Sequence, residues 1–207
     1  MWVFTTNYDL LFEDACAEVG LKLVNGFMGA TTRCFAERDF SMASGTISGG
    51  RFSQDAGLTV RLVKLHGSVS WFRKGERRFE SAPSAIDEAE ARCMVLPRRT
   101  KVLETLSPPY DRLFRLSSSV LGDKCKHLVC TGFSFGDGHI NETLVTPKVE
   151  SGAIAFFNFC HDEPKNLESS RARPNIWHFC KDKTVNGGRE TEASHETWKF
   201  SEFVKLF

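Results

Sequence analysis

The feature that most constrains the fold is a series of short apolar runs separated by helical segments. Residues 58–65 (LTVRLVKL) alternate in polarity and are rich in β-branched side chains, which is typical of a strand. Residues 127–131 (HLVCT) form a short apolar run that predicts a buried parallel strand. Further strands are predicted at 2–6, 93–96, 153–160 and 176–180.

Between these runs, apolar residues recur at helical spacing. Tyr8 to Val19 carries them at i, i+3, i+4 and i+7, and Gly20 then favours a helix end. A second helix is predicted from Tyr110 to Leu121, and a brief one after Asn141 that should stop at Pro147. Residues 198–207 place apolar side chains on one helical face. Strands that alternate with helices predict an α/β, Rossmann-like fold with a mostly parallel sheet and flanking helices.

Two segments do not fit this alternation. Residues 25–57 and 70–108 are interpreted as loop or helical insertions near a pocket, within a single domain spanning 1–207. Residues 40–57 are rich in Ser and Gly and predict a mobile loop. Residues 73–90 are polar and are expected to form a surface excursion.

Composition narrows the class of protein. The formal net charge is +1, so nothing indicates an electrostatic surface for nucleic acid. No apolar run approaches the roughly 18 residues of a membrane span, and no basic, apolar leader opens the chain. The seven Cys are scattered without any Cys-x-x-Cys pair. This favours reduced thiols in a cytoplasmic protein and argues against a structural zinc site or another bound metal.

Polar residues follow three of the predicted strands: Thr6 to Asp9, His66 to Ser68, and Gly132 to Ser134. Ligands bind at the carboxyl ends of strands in an open parallel sheet, so we expect these segments to converge if the strands are neighbours. Asn7 offers an amide donor and acceptor, and His66 is a residue type that can act as a general base. Gly132 lets the backbone approach a phosphate, and Ser134 adds a hydroxyl.

Each of these residues also has a structural interpretation. Asn7 is a residue type that caps helices, and Asp9 suits a first helical turn. His66 alone is compatible with a buried structural role, and Ser134 with a turn hydroxyl. A different enzyme class is also open, because residues 132–136 spell Gly-x-Ser-x-Gly, the nucleophile elbow of Ser-His-Asp hydrolases.

Three motifs, in this order, resemble the SIR2-like family: FTTNYDLLFE at 4–13, KLHGSVSWF at 64–72 and GFSFGDGHIN at 132–141. Residues 110–121 and the closing WKFSEFVKLF look similar too. The resemblance implies NAD⁺ as substrate and cleavage of the bond between nicotinamide and ribose. It assigns catalytic roles to Asn7, which positions water and ribose, to His66, the base toward ribose hydroxyls, and to Asp9, which holds nicotinamide or its loop.

The same resemblance assigns nucleotide contacts to Thr6, Gly132, Phe133 and Ser134. Because the four-Cys zinc module of deacetylating sirtuins is lacking, the chain looks like the zinc-free bacterial members, whose usual activity is NAD⁺ hydrolysis in anti-phage defence. Alternatives within the resemblance are a non-catalytic module that binds NAD⁺, ADP-ribose or a protein, and an NAD⁺-dependent deacylase.

The family domain normally opens with a strand and a Gly-rich phosphate loop ahead of the first motif. Here only a few residues precede that motif, so we expect the N-terminal part of the domain to be missing. The pyrophosphate then lacks a helix-terminus anchor. We expect the isolated 207-residue chain to bind NAD⁺ weakly, and a homo-oligomer or a partner protein to complete the site.

Overall fold

The structure is a computed structural model that describes residues 1–87, 91–95 and 107–206. Within these residues the strands are β1 (Trp2–Thr5), β2 (Lys22–Val24), β3 (Phe27–Met28), β4 (Arg33–Phe35), β5 (Gly45–Ser48), β6 (Arg51–Gln54), β7 (Thr59–Lys64), β8 (Gly67–Lys74), β9 (Arg77–Glu80), β10 (Ala91–Met94), β11 (His127–Thr131), β12 (Ala155–Phe159), β13 (Ile176–Phe179), β14 (Lys183–Asn186) and β15 (Arg189–Glu192). The α-helices are α1 (Leu11–Glu18), α2 (Tyr110–Val120), α3 (Gly138–Ile140), α4 (Thr146–Glu150) and α5 (Phe200–Phe203). A π-helical turn spans Asn141–Val145, and 3₁₀ turns span Glu37–Ser41, Pro83–Ala85, Lys165–Ser170 and Val204–Leu206.

The chain divides into two compact units, an N-terminal unit (Met1–Arg115) and a C-terminal unit (Leu116–Phe207). Helix α2 runs across the boundary between them. The α/β fold class predicted from the sequence is confirmed, because parallel strands and helices alternate in both units.

A three-stranded parallel sheet organises the N-terminal unit, with β7 between β1 and β2. The buried side chains of β7 include Val60, Leu62 and Val63, each at most 1% exposed. Helix α1 connects β1 to β2, and the chain leaves it through Gly20 at φ +70°, as its position predicted. The sheet therefore delivers the residues that follow β1 and β7 to one edge.

The segments interpreted as insertions carry antiparallel strands as well as turns. A five-stranded sheet has the order β10-β8-β9-β4-β3. The Ser- and Gly-rich stretch predicted to be a loop contains a hairpin, since β5 pairs with β6. All eight residues of that hairpin are exposed, so no buried face generated the alternation that would have revealed it.

A five-stranded sheet with the order β11-β12-β13-β14-β15 organises the C-terminal unit. Strands β11, β12 and β13 are parallel, and β14 and β15 are antiparallel additions. Strand β11 is parallel as predicted but is not buried. Among the described residues it is an edge strand, and Val129 on it is 45% exposed. The apolar run at 127–131 therefore predicted the parallel strand correctly, but the prediction that this strand is buried is wrong.

One helix prediction needs correction. Pro147 does not stop its helix, because α3, the π turn and α4 follow one another from Gly138 to Glu150. Pro147 occupies the first turn of α4, where a missing N–H costs little. The helix predicted for the tail is present as α5 and the 3₁₀ turn that follows it, with Phe200 67% and Val204 46% exposed. Phe207 lies outside the described residues, as do Leu96 and the rest of 96–106 in the segment 70–108.

All seven cysteines are free thiols. Within the described ranges, no helix is both long enough and apolar enough to cross a membrane.

Candidate functional site

The carboxyl ends of β1 and β7 bring two of the predicted segments to the same sheet edge. The parallel register pairs Thr5 with Lys64, and the ladder continues one step further, where Leu65 N–H donates to Thr5 O at 2.9 Å. Residues Thr6 and Asn7 therefore leave β1 beside the point where His66 leaves β7. Strands β1 and β7 are therefore neighbours, which is the condition under which their two segments were expected to converge.

His66 occupies a tight turn between β7 and β8. Its side chain is buried, with 6% of the residue exposed, and its carbonyl accepts from Val95 N–H at 2.9 Å. Gly67 follows at φ +86°, and a Cβ there would lie 2.1 Å from Cys93 O and 2.9 Å from the Tyr110 hydroxyl. Only glycine fits this position, since the backbone is left-handed and no side-chain atom has room. Gly67 thus fixes the turn that presents His66.

The loop that carries Asn7 is bonded to the strand that follows His66. Tyr8 O accepts from Val69 N–H at 3.0 Å and from the Ser68 hydroxyl at 3.2 Å. The Tyr8 hydroxyl donates to Val95 O at 2.5 Å. These bonds hold the Asn7 loop and the His66 turn in one assembly.

The predicted residues on this loop differ in exposure. Asn7 and Asp9 are exposed, whereas Thr6 is half-buried. The Asp9 carboxylate accepts from Leu11 N–H at 3.1 Å, at the start of α1. The alternative that Asn7 caps this helix is wrong, because α1 begins four residues later and Asp9 provides the bond there. The Asn7 side chain is therefore not used as a helix cap.

Lys64 is a site residue that the sequence analysis missed. Its side chain is 3% exposed and its ammonium lies 2.7 Å from the Glu13 carboxylate. The same ammonium donates to Asp9 O and, at 3.3 Å, to the Ser68 hydroxyl. Burial raises the pKa of Glu13 above its usual value, and the Lys64 charge only partly offsets that effect. A lysine closing a β-branched strand directly before Leu65-His66 was the one available signal.

The buried polar chain continues away from Lys64 into the antiparallel sheet. Ser68 and Ser70 share a hydroxyl–hydroxyl bond of 3.0 Å, and Ser70 reaches Glu80 at 3.5 Å. The Glu80 carboxylate also accepts from Asn25 at 2.8 Å and from Arg33 at 2.6 Å. Because buried polar groups are costly unless bonded, this network favours one arrangement of the strands beneath the site.

The third predicted segment forms a turn at the carboxyl end of β11, in the C-terminal unit. Gly132 is exposed at φ +68°, and a Cβ added to it would have no neighbouring atom within 4 Å. Ser134 is exposed, and its hydroxyl accepts from Gly136 N–H at 3.3 Å. Phe133 is half-buried and packs edge-on against Phe135 at 4.8 Å.

Phe135 anchors this turn. It is 1% exposed and holds φ +57°, a left-handed backbone that a bulky residue rarely adopts. Its carbonyl accepts from the side-chain amides of Asn141 at 2.7 Å and Asn166 at 2.8 Å. Such backbone strain persists where the surroundings over-determine it, and it is concentrated at functional sites. No pattern in the sequence marks Phe135 for this role.

The family of this chain is identified by comparison with models of known protein families. The profile of the SIR2-like domain matches residues 2–178. The chain belongs to the SIR2-like family. A search of curated proteins gave no match. The family uses NAD⁺, so membership indicates an NAD⁺-related function and confirms the resemblance drawn from the three motifs.

In this SIR2-like chain, the nucleophile-elbow alternative finds no support. The left-handed residues of the pentapeptide are Gly132 and Phe135 and not Ser134, and the next helix begins only at Gly138. The three late histidines also engage other groups: His161 with Asp162 at 2.8 Å, His178 with Asn158 at 3.2 Å, and His195 with Thr184 at 2.7 Å.

The described residues contain no group of three or more His, Cys, Asp or Glu side chains arranged to hold a metal ion. Asp137, His139 and Asn141, which invite that interpretation by eye, lie instead around the start of α3, where Asn141 bonds to Phe135 O.

Proposed function

We propose that this SIR2-like chain carries the nicotinamide side of an NAD⁺ hydrolase site. The observation that carries the proposal is the parallel register of β1 and β7, which places the Asn7 loop and the His66 turn at one sheet edge. Family membership adds the substrate class. The reaction consumes water and NAD⁺ and yields nicotinamide, ADP-ribose and a proton.

The residues at this edge suit that chemistry. Leaving of nicotinamide generates an oxocarbenium-like ribose cation, which water attacks from the opposite face. The exposed Asn7 amide is placed to orient water and a ribose hydroxyl through its donor and acceptor. His66 is placed to accept a proton from a ribose hydroxyl as a general base. Asp9 O is held by Lys64, which fixes the loop on the nicotinamide side.

The Gly132–Ser134 turn has features of its own that suit a nucleotide. A left-handed glycine with open space around it lets phosphate or ribose oxygens approach backbone N–H groups. The buried amide of Asn141 holds this turn through Phe135 O. These groups match a hydroxyl- and phosphate-bearing ligand, so Thr6, Gly132, Phe133 and Ser134 remain our proposed nucleotide contacts.

The test is nicotinamide release from NAD⁺ by the natural gene product. Nicotinamide and ADP-ribose are quantified by chromatography, with and without an acylated peptide. Equal amounts of both products without peptide support the hydrolase. Release that requires the peptide, with acyl transfer to ADP-ribose, identifies a deacylase instead. Calorimetric NAD⁺ binding without any release identifies a non-catalytic binding module.

The anti-phage role and assembly into a homo-oligomer, or with a completing partner, belong to the same proposal through the resemblance. Assembly is checked by size-exclusion chromatography with light scattering. The anti-phage role is checked by phage challenge of cells that express the gene product. A monomer with full activity would remove the need for a partner.

A further inference from the structure

Two cysteines lie opposite each other at the carboxyl ends of neighbouring strands in the C-terminal unit. Cys160 directly follows β12 and Cys180 directly follows β13, whose parallel register pairs Phe159 with Phe179. The ladder continues beyond that pair, since Cys160 N–H donates to Phe179 O at 3.1 Å. The two sulfur atoms are 3.6 Å apart.

This placement is compatible with a covalent bond between the sulfurs. Neighbouring strands lie about 4.8 Å apart, and disulfides span Cα separations of about 4.4–6.8 Å. A disulfide S–S distance is about 2.05 Å, so the sulfurs need to approach by about 1.5 Å. Side-chain rotation supplies a movement of that size without displacing the strands.

The two thiols differ in access and in acidity. Cys160 is half-buried, whereas Cys180 is 2% exposed, so an external reagent meets Cys160 first. The hydrogen bond from the Cys160 thiol lowers the pKa of Cys180, against the opposing effect of burial. On the adjacent strand β11, burial raises the pKa of the Cys130 thiol to about 12. The hydrogen bond to Cys180 and burial raise the pKa of the Cys160 thiol as well, so access and not acidity makes Cys160 the first of the pair to react. Cys130 serves as an internal control because it lies on β11, outside the pair of sulfurs 3.6 Å apart.

We propose that Cys160 and Cys180 form a dithiol modification site that low-molecular-weight disulfides oxidise to an intramolecular disulfide. In the first step the Cys160 thiolate attacks one sulfur of oxidised glutathione, which releases one glutathione thiolate and leaves a mixed disulfide. In the second step the Cys180 thiolate attacks the Cys160 sulfur and releases the second glutathione. Two protein thiols are oxidised to one disulfide and one glutathione disulfide is reduced to two thiols, which take up through solvent the two protons that the protein thiols release.

The site lies at the same sheet edge as the Gly132–Ser134 turn. Strand β12 pairs with β11 on one side, with Thr131 opposite Phe159, and with β13 on the other. The turn and Cys160 thus follow paired residues on neighbouring strands. A disulfide would tie β12 to β13 next to that turn. The proposal concerns the thiols alone and stands whether or not the chain hydrolyses NAD⁺.

The experiment equilibrates the natural gene product with oxidised and reduced glutathione at several ratios, alkylates the remaining thiols, and maps the peptides by mass spectrometry without reduction. We expect one linked peptide pair containing Cys160 and Cys180, about 2 Da lighter than the sum of its free peptides. The other five of the seven cysteines should be found alkylated. Reduction should restore alkylation at both sites.

Matched variants separate this result from general oxidation. Cys160→Ser and Cys180→Ser should each abolish the linked pair, and Cys180→Ser should accumulate a glutathione adduct on Cys160. Cys130→Ser, on the neighbouring strand, should leave the linked pair unchanged. Full alkylation of Cys160 and Cys180 in the wild type at the most oxidising ratio would overturn the proposal. So would a stable Cys160–glutathione adduct in a chain that retains Cys180. Both readouts come from the wild type, so they do not depend on variant folding.

Discussion

The Lys64 ammonium and the Glu13 carboxylate form a buried ion pair of 2.7 Å directly beneath the loop that carries Asn7. The pair joins the end of β7 to the first turn of α1, and Lys64 also holds Asp9 O. The residues that flank the proposed site are thus tied together from within the core. The Lys64–Glu13 pair and the bond from Lys64 to Asp9 O determine where Asn7 and His66 lie, so their loss is expected to have measurable effects.

Replacing Lys64 should leave a partly buried carboxylate without its cation. Lys64→Met is expected to lower the free energy of unfolding by about 3 kcal/mol, measured by urea denaturation. Lys22→Met, at an exposed lysine on β2, should cost little. The double variant Lys64→Met/Glu13→Gln should recover part of the loss. Equal effects of Lys64→Met and Lys22→Met would show that the pair contributes no stability.

Gly67 and Gly20 provide a comparison of backbone and packing constraints. Both have a left-handed backbone, at φ +86° and +70°. A Cβ added at Gly20 would meet no atom within 4 Å, whereas a Cβ at Gly67 would lie 2.1 Å from Cys93 O. Gly20→Ala should cost about 1 kcal/mol through the backbone alone. Gly67→Ala should cost at least about 2 kcal/mol more, because the contacting atom is backbone. Similar losses in urea denaturation would mean that the His66 turn adapts freely.

Asn141 should control the rigidity of the Gly132–Ser134 turn. Its amide donates to Phe135 O at 2.7 Å from a buried position, and Asn141→Ala removes that donor. We expect a stability loss of about 1–2 kcal/mol and faster hydrogen exchange at the amides of residues 132–136. Asn166→Ala removes the second donor from an exposed residue and should have a smaller effect. Unchanged exchange in Asn141→Ala would exclude this anchoring role.

His178 should make stability depend on pH. Burial lowers its pKa below the usual 6.5, so the unfolded chain binds a proton in a pH range where the folded chain does not. Its contribution to stability is therefore present above about pH 6.5 and is lost as pH falls through the folded pKa. The measurement is the unfolding free energy from pH 7.5 downward in wild type and His178→Gln. Groups common to both proteins, including Glu13 with its raised pKa, cancel in the difference. A difference that does not change with pH would contradict this assignment.

The sequence predicted those elements whose local pattern is decided by burial. Strand β7, helix α2 and the strands β12 and β13 lie where periodicity placed them, because their apolar faces form the core. Helix α1 also lies where it was predicted, although Cys16 is its only buried residue and Leu11 and Val19 are 74% and 69% exposed. Gly20 ended its helix because a left-handed backbone is a local property. The hairpin of β5 and β6 was missed because it buries no face.

Other features depend on partners that are distant in the sequence. Lys64 is buried because α1 brings Glu13 to it, a relationship that no periodicity contains. The strain at Phe135 depends on amides six and 31 residues away. For the candidate site, the motifs indicated Asn7, Asp9 and His66, and the structure places their loops on adjacent strand ends. The assignment of Gly132, Phe133 and Ser134 to the same nucleotide stays a prediction.

The roles of Asn7 and His66 in NAD⁺ hydrolysis are tested most directly by the rate of nicotinamide release. This rate is measured for the natural gene product and for two variants, Asn7→Ala and His66→Ala. If both residues act on the nicotinamide ribose, each variant should lower kcat at least about 100-fold, as loss of a general base or a positioned water does. Circular dichroism and the urea midpoint should show that each variant is folded, and the exposed Lys22→Met should retain full activity. Wild-type release that persists unchanged in either folded variant would contradict the central claim.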